Sequence, residues 1–145
     1  MNIKWDTYLW DEPRPMEPGE LEAVEAAWGI KLPEDYKRTA SLHQGMTPDP
    51  CVFNVGQGTT VFCTLLTASR HESKESYSMQ DACAVIRPHI PPGIYPFALT
   101  SGGEDICFDY REAHDQPRIA LVTTEMSIHP VANSFQEFMD GLYDD

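Results

Sequence analysis

Apolar residues recur at helical spacing in three parts of the chain and at strand spacing in between. From Gly19 to Trp28, Leu21, Val24 and Trp28 fall at i, i+3 and i+7, one stripe of an amphipathic helix. Glu20, Glu22 and Glu25 lie mostly off that stripe, so the helix is expected to show an acidic flank to solvent. Its alanines favour the helix and Gly29 is a natural stop. A second helix follows in "IKLPEDYKRTASLHQG". Pro33 suits the first helical position, Glu34 and Asp35 complement the helix dipole, and Leu32 can pack back onto the first turn. Tyr36, Ala40 and His43 share a face, and Gly45 is expected to close the helix. Trp28 and Tyr36 are then expected to point into one core from this helix corner.

After Gly45 the period changes. "CVFNV" and "TVFCTLLT" are short, rich in Val, Phe and Thr, and separated by "GQGT", the pattern of a β-hairpin. "SRHESKESYS" is polar and reads as a loop. "SMQDACAVIR" opens with the S-x-x-D spacing of a capping box, Ser78 to Asp81, and predicts a helix ending near Arg87 before "PHIPPG". "IYPFALT", "DICFDY" and "RIALVTTE" predict three more strands, punctuated by "SGGE" and "REAHDQP". In the last segment Phe135, Phe138, Met139 and Leu142 fall at i, i+3, i+4 and i+7 behind a cap at Asn133 or Ser134.

Residues 1–18 form a lead-in, with Trp5, Tyr8 and Trp10 as apolar anchors ahead of the proline-rich "DEPRPMEPG". Helices and strands segregate along the chain. That predicts an α+β fold: a mostly antiparallel or mixed β-sheet flanked by an N-terminal helix pair and a C-terminal helix, within one domain over residues 1–145.

Charge narrows the choice of partner. The net charge is −13, and it is concentrated at the two ends. Residues 1–35 hold nine acids against three bases, residues 36–100 four against five, and residues 101–145 ten against two. Such a surface repels phosphate backbones and anionic membranes, which bind through Lys and Arg, and it attracts a basic protein. No direct nucleic-acid or membrane contact is expected. The start lacks the basic and apolar regions of a signal peptide, so a cytoplasmic location is expected. Cys51, Cys63, Cys83 and Cys107 lack the C-x-x-C spacing and sit in apolar stretches, as reduced, packed thiols do.

Candidate chemistry is sparse. The glycines of "SGGED" precede a strand, whereas a phosphate cradle feeds a helix N-terminus, so this segment is read as a hairpin turn. His43 stands near Ser41 without an orienting acid in the pattern. "RHE", Arg70 to Glu72, reads as a solvated face, and His89 and His129 neighbour prolines in turns. No catalytic residue, cofactor site or metal site is expected.

The order of elements resembles the SUKH superfamily in its Smi/Knr-type branch, over roughly residues 18–143. The carrying residues are "LEAVEAAWG", "LPEDYK" where the family has Leu-Pro-x-x-Tyr, "IYPFALTSGGEDICFDY" for its strand–glycine turn–strand, and "VANSFQEFMDGL" for its Ser-Phe-x-x-Phe helix. "HQG" stands where members usually carry Asn-Gly. The resemblance implies immunity proteins that neutralise a cognate toxin, frequently a nuclease, in bacterial polymorphic or contact-dependent toxin systems. Regulatory or adaptor modules binding an endogenous protein are the alternative it implies. Joined to the charge pattern, it makes Glu20, Glu22, Glu25, Glu104, Asp105 and Asp140 the expected contacts with a basic protein, with Asp144 and Asp145 as additions.

Overall fold

A computed structural model describes residues 3–112 and 115–144; Asp145, and Ala113 and His114 of the expected "REAHDQP" loop, lie outside them. The chain opens with strand β1 (Lys4–Thr7), then α1 (Glu20–Trp28), α2 (Glu34–His43) and β2 (Met46–Asp49). A hairpin follows, β3 (Val52–Val55) and β4 (Gly58–Leu65), then α3 (Met79–Ile86). Strands β5 (Ile94–Thr100), β6 (Asp105–Asp109), β7 (Arg118–Val122) and β8 (Ile128–Ala132) lead to α4 (Phe135–Asp140). β3 through β8 form one six-stranded sheet in chain order, and β1 pairs with β2 in a separate ribbon. Every strand pair is antiparallel. The fold is therefore α+β, and of the two expected sheet types it is the antiparallel one. The six strands curl until β3 and β8 approach within 8 Å between Cα atoms.

The sheet is buried on both faces at its centre, which is why β5, β6 and β7 read as nearly unbroken apolar runs. Along β6, Ile106 and Phe108 join the main core, while Cys107 meets Ile86, Ile94 and Val122 in a smaller cluster on the other side. The main core is aromatic. Tyr36 is fully buried and meets Phe97, Phe108 and Phe135 edge-on at ring separations of 5.6, 5.0 and 5.5 Å, the arrangement favoured by ring quadrupoles. Phe138 bridges Phe53 and Phe62 at 5.1 and 5.8 Å. The helical stripes expected on α1, α2 and α4 thus converge on one sheet face.

Several expectations are corrected. The lead-in contains β1, whose Trp5 lies opposite Pro48; four residues with one inward side chain are too short to announce a strand. β2 and β8 carry Pro48 and Pro130, which mark edges, because proline donates nothing to a ladder. His129 consequently sits in β8, not in a turn. Pro33 has ψ 140° and caps α2 from outside the first turn, and Gln44 rather than Gly45 is the C-terminal cap. Ser134, not Asn133, caps α4, with its hydroxyl accepting from the Glu137 N–H at 3.0 Å. Ser78 caps α3 as expected, accepting from the Asp81 N–H at 3.1 Å. The reciprocal half of the box is absent, since the Ser78 N–H donates to the Glu75 carbonyl. Trp28 is only half-buried and packs on Tyr95 at 4.8 Å.

Candidate functional site

Helix α2 turns Tyr36 and Ala40 inward, which leaves Glu34, Lys37 and Arg38 along its outer side. Grooves run along both of its flanks. One, of ≈ 800 Å³, lies between the end of α1, the start of α2 and Tyr110, and carries Glu25, Glu34, Lys37 and Asp115. A second, of ≈ 330 Å³, separates α2 from Met16–Gly19 and carries Glu17, Glu22 and Arg38. A third, lined by Asp35, Asp115 and Phe135, shares Glu34 and Arg38 with its neighbours. Asp35 also lines a fourth, beside Trp5 and Asp140.

Because these grooves share walls, they make one continuous furrowed surface. Its carboxylates, Glu17, Glu22, Glu25, Glu34, Asp35, Asp115 and Asp140, outnumber Lys31, Lys37 and Arg38.

Not all of that charge faces solvent. The Lys37 ammonium sits 3.4 Å from Glu25 and 3.3 Å from Glu34. Burial alone would lower the Lys37 pKa, but the bonds and charge of Glu34 and Glu25 raise it overall. Glu25 also accepts the Leu32 N–H at 2.7 Å, tying α1 to the corner before α2. Glu22 and Asp140 are exposed, and Asp140 accepts from Gln136 at 2.9 Å. Glu20 turns away, accepting from the Ser69 hydroxyl and the Glu17 N–H. Asp144 is exposed at the chain end.

Glu104 and Asp105 lie elsewhere. The expected hairpin turn is present, with the Thr100 N–H donating to the Glu104 carbonyl at 2.9 Å. Asp105 opens β6 whereas Tyr110, on the groove surface, follows its end; at ~3.3 Å per residue the two are about 17 Å apart. Asp105 is half-buried rather than displayed, and burial pushes its carboxyl up to about 7. The structure thus brings Glu22, Glu25 and Asp140 to one surface and leaves Glu20, Glu104 and Asp105 off it.

Sequence reading missed Glu34, Asp35 and Asp115 as surface contributors. In the sequence the first two read as complements to the helix dipole, and Asp115 sits in a loop whose partner surface no pattern encodes. The Ser41–His43 pairing does not form: the Ser41 hydroxyl donates to the Arg38 carbonyl at 3.1 Å. His43 instead stacks on Trp5 at 4.9 Å, and burial lowers its pKa. Arg70 of "RHE" pairs with Asp81 at 2.8 Å. All four cysteines are free, with Cys83 and Cys107 buried. Among the described residues, no group of three or more His, Cys, Asp or Glu could hold a metal ion, and no helix is long and apolar enough to cross a membrane.

The SMI1 / KNR4 family (SUKH-1) model matches residues 15–141. The chain is also similar to a SPbeta prophage-derived uncharacterized protein, YokK, of Bacillus subtilis (strain 168). The two are 28% identical over 149 residues, covering 87% of this chain and 74% of that protein.

Proposed function

The chain belongs to the SMI1/KNR4 family (SUKH-1), and we propose that it is a non-catalytic immunity protein whose furrowed acidic surface around α2 captures a basic toxin domain in the cytoplasm. The observation that carries this reading is the continuity of four carboxylate-bearing grooves across one side of the molecule. A nuclease domain is cationic because it must hold phosphates. Opposite fields accelerate encounter, and grooves give a basic side chain a place to lodge. The prophage origin of the B. subtilis relative is compatible with a gene carried on a mobile element. The alternative, an adaptor for an endogenous protein, would use the same surface, so the partner separates them.

The test is association of the purified chain with the toxin encoded beside it, at low and at high salt. The on-rate is expected to fall steeply as salt rises. Lysine at the exposed Glu22, Asp115 and Asp140 together is expected to slow association about tenfold or more. Salt-indifferent binding, or unchanged binding by the triple variant, would remove the acidic-surface mechanism. A deletion phenotype in cells lacking any such toxin would favour the adaptor.

A further inference from the structure

A fifth groove, of ≈ 480 Å³, has the opposite chemistry. It lies between the end of α1 and the segment linking α3 to β5. Trp28 and Tyr95 meet there at 4.8 Å and a 32° tilt, both half-buried, so their rings still present surface to solvent. Ile90, Pro91 and Pro92 also line it, and the rings of the two prolines fix φ along that segment. The four grooves described above each carry carboxylates; this one carries none, and its one charged lining residue is Arg87. Arg87 is exposed and forms no ion pair among the described residues; its Nη2 contacts the Cys83 sulfur at 3.7 Å.

We propose that the Trp28–Tyr95 groove docks an extended, proline-containing apolar segment of a partner protein, with an acidic side chain of that segment held by Arg87. Aromatic-walled grooves suit polyproline-type peptides because pyrrolidine rings pack on aromatic faces and the peptide is already extended, so little entropy is lost on docking. The Arg87 guanidinium, which has no ion pair among the described residues, supplies direction, since its fork matches a carboxylate. The preference for an acidic segment is local to Arg87, since the net charge of −13 opposes it at longer range and draws basic segments to the carboxylate grooves. This site is distinct from the surface around α2 and does not depend on the toxin reading.

The test is an NMR titration of the ¹⁵N-labelled full chain with Ac-LPPLDE-NH₂ and, separately, Ac-LPPLKK-NH₂. The acidic peptide is expected to shift the Trp28 indole N–H and the Gly93 amide, and Arg87→Glu to weaken it about tenfold. The lysine peptide is expected to leave Trp28 unmoved. Because Arg87 is exposed, the variant keeps the fold, which an unchanged Tm verifies. Absence of shifts at Trp28 and Gly93 with the acidic peptide at millimolar concentration would overturn the proposal, as would equal affinity in the Arg87→Glu chain. Neither result bears on toxin capture at α2.

Discussion

Glu25 and Lys37 form an ion pair at 3.4 Å across the corner between α1 and α2, and both side chains are mostly buried, at 15% and 20% exposure. Glu25 is therefore a structural brace as well as part of an acidic surface. Glu25→Ala leaves the Leu32 N–H and the Lys37 ammonium short of a partner, and is expected to destabilise by about 1–3 kcal/mol. Glu22→Ala, on an exposed side chain, is expected to stay within about 0.5 kcal/mol. Chemical denaturation of the two variants measures the difference. A binding loss in a Glu25 variant is interpretable only beside that measurement.

Asp105 should make stability fall as pH rises. Its folded carboxyl is raised to about 7 by burial, so between the ordinary carboxylate range and pH 7 the folded state holds the proton that the unfolded state has released. Stability then declines across that window and levels off above it. Asp105→Asn is expected to remove this slope and to stabilise the protein on the order of 2 kcal/mol at pH 8. Urea midpoints at several pH values read it directly, and parallel pH profiles for the two chains would refute it.

Trp5 covers one face of the half-buried His43 ring. The stacked rings are 7° from parallel, and His43 Nδ1 is buried without a partner. Burial depresses the imidazole pKa, so its contribution to stability is present above the unfolded value of about 6.5 and is lost as pH falls through the folded one. Trp5→Ala exposes the ring and is expected to return the His43 pKa toward its ordinary value, as read by NMR titration.

The aromatic centre should dominate the folding energy. Phe138 is buried and touches Phe53, Phe62 and Phe97; Phe138→Ala is expected to cost about 3–5 kcal/mol. Leu42, 58% exposed, should tolerate alanine within about 0.5 kcal/mol. Comparable losses at both positions would mean that the helix faces are misassigned.

What the sequence determined by itself were the long periodic elements. α1, α2, α4 and the strands β5 to β7 declare themselves because burial against a sheet imposes a repeat that several residues must obey together. The hairpin and glycine turns were legible for the same local reason, and so was the acidic excess. Tertiary structure alone decided β1, β2 and β8, whose few residues pair only because a partner strand lies alongside. It also decided the meaning of each carboxylate. Glu25 went to a lysine, Glu20 to a serine and Asp105 into the sheet, while Asp115 arrived beside Glu34 from a distant loop. A formal charge is counted per residue, but a field and a groove depend on which side chains fold to the same side and which find partners first.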